Sequence, residues 1–370
     1  MNESFSPFEA FRGKRVLITG HTGFKGSWLS LWLAKLGADV HGYALEPPTN
    51  PSLFEQTGLA SLMHHRLGDV RDQDAVLATV REIRPDFVFH MAAQPLVRLS
   101  YREPVATYST NVMGTVNVLD ALRRRGEQCI AIIVTSDKCY ENREWVYGYR
   151  ENDPMGGYDP YSSSKGAAEL AVAAYGRSYF SELDSPVGLA SVRAGNVIGG
   201  GDWALDRIVP DCMRALREGK PILVRNKRST RPWQHVLEPL GGYLLLAAEI
   251  ARARDDADKT RYKALCSPFN FGPQTTSNCS VGDLVGEILR HWPGTWNDAS
   301  KPGQPHEAGL LNLSTDKAYR LLGWKPIWNF AQTMERTVTW YRDLENCRDS
   351  NAVLGLTAGQ IDEYSRARTA

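Results

Sequence analysis

Two side chains four residues apart offer the sharpest chemistry in this sequence: Tyr161 and Lys165, in the string YSSSK. In a helix, that spacing puts both on one face. A phenol with an ordinary pKa of about 10 is a poor base at neutral pH, and a neighbouring ammonium favours its phenolate. Such a pair suits removal of a hydroxyl proton; the plain alternative is a surface Tyr and Lys. Thr135-Ser136-Asp137-Lys138 closes an apolar run at residues 130–134, gathering hydroxyls, a carboxyl and an amine at what reads as a strand end. Strand C-termini face the ligand crevice of open α/β sheets, so these groups are placed to orient a hydroxyl and move protons. A polar turn is the competing reading.

A third signal lies near the N-terminus. Gly20-His21-Thr22-Gly23-Phe24-Lys25-Gly26 follows an apolar run at residues 14–19 and opens a pattern of Trp28, Leu29, Trp32, Leu33 and Leu36 at helical spacing. Glycines there suit a tight turn, close backbone approach to a pyrophosphate, and close helix–strand packing, with the pyrophosphate on unpaired N–H groups at the helix start. The spacing G-x-x-G-x-x-G in this context points to a dinucleotide held by Gly20, Thr22, Gly23, Phe24, Lys25 and Gly26. Glu46 is the acidic candidate for the adenosine ribose, with an exposed loop glutamate as the equal alternative. No arginine stands in that stretch to meet a 2′-phosphate, which favours NAD over NADP. Asp69, in Gly68-Asp69-Val70, fits beside the adenine or serves as a helix-start carboxylate.

The elements that must position these groups are legible as an alternation. Strand-like runs at residues 14–19, 39–45, 86–91, 130–134 and 187–192 alternate with helix-like stretches at 28–36, 76–83, 105–125 and 162–180. That is the signature of a doubly wound parallel sheet. After Gly195 the elements shorten and Gly and Pro become frequent, which predicts a smaller, interleaved substrate domain. The predicted division is 10–194, with 237–253 packing back onto it, against 195–236 and 254–350. Residues 251–259 (ARARDDADK) read as a solvated charged turn.

Composition narrows the function classes. With 43 Lys+Arg against 42 Asp+Glu in 370 residues, there is no basic field for nucleic acid and no polybasic membrane patch. No run approaches the roughly 20 apolar residues of a membrane span, and the first residues lack the pattern of a signal peptide. Six scattered cysteines without a C-x-x-C pair predict reduced thiols in a cytoplasm, and no close His/Cys cluster suggests a metal.

Taken together, these strings resemble the extended short-chain dehydrogenase/reductase superfamily, in its nucleotide-sugar branch, over nearly the whole chain. GHTGFKG resembles its cofactor loop, HMAAQ (90–94) the segment running beside NAD, TNVMGT the helix that carries its asparagine, and Tyr161/Lys165 its catalytic pair. The resemblance implies a Rossmann-type sheet and NAD, with Val70, Ala92, Ala93, Gln94, Asn111 and Thr135 added to the cofactor contacts. RAGNVIGGGDW (193–203) and RPWQH (231–235) resemble nucleotide-sugar contacts, implying Asn196, Arg207, Arg231 and His235 as substrate residues. Arg231 is the best diphosphate clamp, since its planar fork suits phosphate; each of the four also reads as structural.

HTGFKGSWLSLWL, YALEPPTNPSLFE, TSDKCYEN and GNVIGGGDWALDRIVPD are similar to the CDP-glucose-specific subgroup of 4,6-dehydratases. Where dTDP-specific dehydratases carry Thr-Asp-Glu, this chain carries Ser136, Asp137 and Lys138. The implied chemistry is redox-neutral. Tyr161, as phenolate, takes the sugar 4-OH proton while hydride leaves C4. Lys165 holds the nicotinamide ribose and depresses the Tyr161 pKa, and Ser136 orients the hydroxyl. Asp137 protonates the departing 6-OH. Lys138 is the candidate base at C5, or else a fixed cation. The rivals are another nucleotide-sugar dehydratase, a 4-epimerase, a net dehydrogenase and a non-catalytic dinucleotide-binding regulator. The resemblance also implies a homodimer or homotetramer through the helices at 105–125 and 162–180, and a part in deoxysugar synthesis for a bacterial surface polysaccharide.

Overall fold

The computed structural model describes residues 7–300 and 310–369; the first residues, read above for a leader, lie outside the described residues. Seven parallel strands form the central sheet: β1 (Arg15–Thr19), β2 (Asp39–Ala44), β3 (His64–Leu67), β4 (Phe87–His90), β5 (Cys129–Val134), β6 (Val187–Ala194) and β7 (Phe269–Phe271). Their order is β7-β6-β5-β4-β1-β2-β3, so the winding direction reverses between β1 and β4. Ligand crevices in open α/β sheets open at such a reversal.

Period-two patterning separates the two helical layers. Val16, Ile18, Phe87, Phe89, Ile130 and Ile132 face one layer; Leu17, Val88, Ala131 and Ile133 face the other. The first layer holds α1 (Phe24–Lys35), whose Trp28 and Trp32 are fully buried. The second holds α2 (Gln73–Ile83), α3 (Gly114–Arg125) and part of α4 (Pro160–Tyr179). Back in the first layer, α5 (Leu237–Asp255) lies against β5, β6 and β7 and is buried along most of its length. The chain closes with α6 (Phe330–Leu344) and α7 (Ser350–Thr369). Tyr364 of α7 packs edge-on against Trp32 and donates to the buried Glu238 carboxylate at 2.8 Å.

Beyond β6, short two-stranded ladders replace the alternation: Val197–Ile198 with Gln234–His235, Thr230–Pro232 with Asn278–Ser280, and Ile222–Val224 with Trp296–Asp298. Two expectations change. The turn expected over 251–259 narrows to the exposed residues between α5, which continues to Asp255, and a further short helix, Lys259–Leu265. The stretch expected as one helix at 105–125 contains a π-helical turn, Ser109–Met113, ahead of α3. No helix among the described residues is long and apolar enough to cross a membrane.

Candidate active site

The loop between β1 and α1 has two glycines that sterics demand. Gly20 has φ +78°, and a β-carbon there would lie 2.7 Å from the Ala92 nitrogen. A β-carbon on Gly26 would lie 2.2 Å from the Gly20 oxygen, so the helix start and the strand end touch. The helix begins at Gly23, which has no side chain to cap it. The first-turn N–H groups of Phe24, Lys25 and Gly26 are therefore the donors that a helix start leaves unpaired, the chemistry a pyrophosphate needs. Thr22 donates to the Leu45 carbonyl at 2.9 Å, tying the loop to the end of β2.

Facing this loop, the end of β4 is locked to β1: Thr19 Oγ1 lies 2.7 Å from His90 Nδ1 and accepts from the Met91 and Ala92 nitrogens at 3.1 and 3.2 Å. Ala92, Ala93 and Gln94 follow, partly exposed. The Gln94 nitrogen donates to Asn111 Oδ1 at 2.8 Å, and Asn111 Nδ2 donates to the Gln94 carbonyl and to Ser164 Oγ. Ser164 in turn donates to the Tyr161 carbonyl at 2.7 Å. Asn111 was expected to contact the cofactor; its amide is engaged inside the protein and connects the β4 loop to α4. A π-turn at this place is a common mark of a functional site.

The start of α4 is fixed by Asp159, which accepts from the Ser162 nitrogen at 2.9 Å and from its hydroxyl at 2.6 Å, and by Pro160 in the first turn. Tyr161 and Lys165 thereby share one buried face beside the β5 end. Burial is the main influence on the Tyr161 phenol and pushes it up to about 12; a hydrogen bond with Ser136 and the charge of Arg207 pull the other way, and Asp137 adds to the rise. The Lys165 ammonium donates to the Val134 carbonyl at 3.3 Å, and burial brings it down to about 8 against the opposing charge of Glu169.

Ser136 Oγ donates to Asp137 Oδ1 at 3.0 Å and accepts from the Lys138 nitrogen at 3.3 Å. Asp137 is buried, and its Oδ2 has no partner among the described residues. Lys138 is half-buried. Four positions beyond Lys165 on the same helix face, Glu169 was missed by sequence reasoning. Its buried carboxylate accepts from Ser191 Oγ at 2.7 Å, from Arg193 Nε at 3.0 Å and Nη2 at 2.8 Å, and from the Thr135 hydroxyl. Burial alone would raise Glu169, but these hydrogen bonds outweigh it and hold it low. Thr135, expected at the cofactor, is thus tied to Glu169. Glu169 had one sequence signal: it continues the four-residue spacing of Tyr161 and Lys165.

Other expected residues separate. Arg207 Nη1 pairs with Asp202 at 2.8 Å and lies within electrostatic reach of Tyr161. Asn196 and Arg231 are partly exposed, and Arg231 donates to the Thr230 carbonyl at 2.7 Å. His235, expected at the substrate, is fully buried between Trp28 and Trp328, and that burial takes it down to about 3. Val70 is a core residue packed on Gly114. Asp69 is engaged by Arg71 at 2.5 Å, and the neighbouring Asp72 provides the cap of α2. Glu46 is exposed beyond β2. A cluster invisible in the sequence forms where β2 meets β3: Asp39 lies 3.1 Å from His41 and 3.2 Å from His64, with the two imidazoles stacked. It sits at the opposite end of β2 from the glycine loop.

Comparison with known proteins follows this geometry. A family profile described as GDP-mannose 4,6 dehydratase matches residues 17–337. The chain is 48% identical, over 97% of its length and 98% of the other, to a protein of Salmonella typhimurium named CDP-glucose 4,6-dehydratase. Among solved structures, the epimerase Mth375 of Methanothermobacter thermautotrophicus superposes with a TM-score of 0.76 at 23% identity, covering 92% of this chain and 96% of that one. The dTDP-glucose 4,6-dehydratase of Bacillus anthracis, in complex with NAD, gives 0.72 at 19% identity over 90% and 98%. These two share the fold.

Proposed function

The chain belongs to the GDP-mannose 4,6 dehydratase family, and from that premise we propose its reaction: redox-neutral dehydration of CDP-glucose to CDP-4-keto-6-deoxyglucose. It is a hydro-lyase that acts on a nucleotide sugar with bound NAD. The observation that carries this reading is the near full-length identity of 48% to a CDP-glucose 4,6-dehydratase. The meeting of Ser136, Asp137, Tyr161 and Lys165 at one strand end supports it. In this reading residues 10–194 hold the dinucleotide with 237–253 against them, while 195–236 and 254–350 receive the sugar nucleotide. Arg231, Arg207 and Asn196 are the proposed contacts to its diphosphate and nucleoside.

NAD, held by the first-turn N–H groups of α1, supplies the hydride acceptor for C4 and the hydride donor for C6. The chain's own residues move protons. Tyr161 rests as a neutral phenol, since burial holds it up at about 12. Ser136, whose influence lowers the phenol, donates from its Oγ to Asp137 Oδ1 at 3.0 Å. As the phenol oxygen takes the 4-OH proton, its own proton passes through Ser136 to the Asp137 carboxylate, so a free phenolate is not required. Lys165 fixes the face on which this happens and holds the nicotinamide ribose. The ketone then acidifies C5–H, and Lys138 removes that proton. Asp137 returns its proton to the departing 6-oxygen, which leaves as water, and Lys138 gives its proton back to C5.

A homodimer or homotetramer is proposed through the helices at 105–125 and 162–180, which leave Val105, Met113, Leu170 and Tyr179 exposed. A cytoplasmic setting and a place in deoxysugar supply for a surface polysaccharide fit six free thiols and this chemistry. The test is mass spectrometry of purified protein with CDP-glucose, dTDP-glucose and GDP-mannose. Loss of one water from CDP-glucose alone, without net NADH, is the expected result. Loss of two hydrogens with NADH accumulation would overturn the reading.

A further inference from the structure

At the opposite end of β2 from the glycine loop, three side chains able to ligate a metal meet. Side chains two apart on a strand share a face, so Asp39 and His41 point the same way. The parallel register sets His41 beside His64 of β3, which brings a second imidazole onto that face. Asp39 Oδ2 lies 3.1 Å from His41 Nε2, and Asp39 Oδ1 lies 3.2 Å from His64 Nε2. The two rings stack with centroids 4.5 Å apart and planes 16° from parallel, both offering Nε2 to one carboxylate. One ligand atom from each residue falls within 4.8 Å of the other two. Donors about 2.0 Å from a tetrahedral zinc ion stand about 3.3 Å from one another, close to the spacing already present between carboxylate and imidazoles. Among the described residues Asp39 forms ion pairs with these imidazoles and with no lysine or arginine. Arg15, its register partner on β1, turns to Asp86.

We propose that Asp39, His41 and His64 form a site for a divalent transition-metal ion, zinc by preference, that clips the edge strand β3 to β2. Two imidazoles and a carboxylate are a donor set that suits such an ion, and three protein ligands leave the fourth position to water. Both imidazoles bind through Nε2, with their protons on Nδ1. The use of a clip is visible in β3, which has four residues, all exposed, at the edge of the sheet. Burial contributes little to holding such a strand, and a metal joining two strands supplies what burial does not. The His64 side chain is 70% exposed, so an ion reaches the site from solvent. The effect extends to the glycine loop through the next residue. His65 lies on the other face, where its Nδ1 is 2.6 Å from Nε2 of His21, and His21 packs on Gly42. Fixing β3 therefore fixes a wall behind that loop. Because the strands run parallel, the site lies at the end of the sheet away from the β5 turn, and the inference is independent of the dehydratase reading.

The experiment uses the full chain without an affinity tag, treated with a chelator and then titrated with zinc against a chromophoric competitor. Wild type should bind one equivalent with micromolar or tighter affinity. His64→Ala, at an exposed position, and Asp39→Asn should each weaken binding on the order of 100-fold or more. His41→Gln replaces Asp39→Asn if that variant folds poorly. Cobalt(II) in place of zinc reports the donors: nitrogen and oxygen ligands give weak visible bands, whereas thiolates of the six free cysteines would add intense near-ultraviolet absorption. Amide hydrogen exchange reads the clip itself. Zinc should slow exchange across His64–Leu67 in wild type and leave it unmoved in His64→Ala. The proposal falls if wild-type binding is weaker than micromolar, if either variant keeps the wild-type affinity, if the bound cobalt shows thiolate absorption, or if zinc binds without slowing exchange in β3. No arm requires turnover, so inactivity on CDP-glucose would count against the dehydratase reading and leave this test intact.

Discussion

The turn at the end of β5 and the middle of α4 each hold a buried carboxylate, and they are provisioned in opposite ways. Glu169 accepts from two hydroxyls and from two nitrogens of Arg193, which also donates to Tyr140 at 2.6 Å. Asp137 receives one hydroxyl and keeps its second oxygen unpartnered. A saturated buried anion is fixed in one protonation state and rigidifies what surrounds it; an undersupplied one is poised to change state. The difference fits architecture for Glu169 and the proposed catalytic role for Asp137, although both sit beside the same Tyr161–Lys165 face.

The largest test of that contrast is on stability. Glu169→Gln leaves the Arg193 guanidinium buried without its charge partner, which costs about 3–5 kcal/mol for a broken buried pair. A strong drop in denaturation midpoint is expected. Asp137→Asn should leave the midpoint unchanged or raised and lower turnover about 100-fold or more. Equal destabilisation by the two variants, read by chemical denaturation, would erase the distinction.

A third buried carboxylate gives an intermediate case. Glu238 accepts from the Ile327 and Trp328 nitrogens at 2.9 and 2.7 Å and from Tyr364. Burial carries it up to about 6 despite those donors and the charge of Arg368. The folded state therefore holds this proton at a higher pH than the unfolded chain does. Its stabilisation is full below about 4.5 and is lost as pH rises through about 6, a change of about 2 kcal/mol. Glu238→Gln should flatten that slope in stability measured from pH 4 to 7. An unchanged slope would place Glu238 with Glu169 as a group that does not titrate there.

The contrast also explains what could be read from the sequence. The sheet was legible where strands are apolar on both faces, as in β5, because hydrophobic runs mark parallel strands. It was not legible at β3, whose four residues HHRL are all exposed on an edge, nor at β7, three residues long and far along the chain. Tyr161, Lys165 and the Ser136–Lys138 turn were legible because local spacing and a strand end place them. The internal partners of Asn111 and Thr135 were not legible, because residue type and motif do not reveal which polar groups the protein itself engages. Partners such as Arg193 for Glu169 or Tyr243 for Lys25 are set by tertiary packing across 24 and 218 residues.

A last test bears on Lys25, whose ammonium is held by Tyr243. Its amine gives up a proton near pH 7 in the folded chain, against an ordinary value of 10.5. Between those two values the unfolded chain binds more protons, so stability attributable to this group rises with pH, and its full cost is present below about 7. Replacing an enclosed charge by an apolar side chain of similar length is often stabilising. Lys25→Met should therefore melt higher than wild type at pH 6, with the gap narrowing toward pH 9. If it melts lower at pH 6, the contact of the ammonium with Tyr243 outweighs its desolvation. Lys25 would then be an architectural cation of the same kind as Arg193.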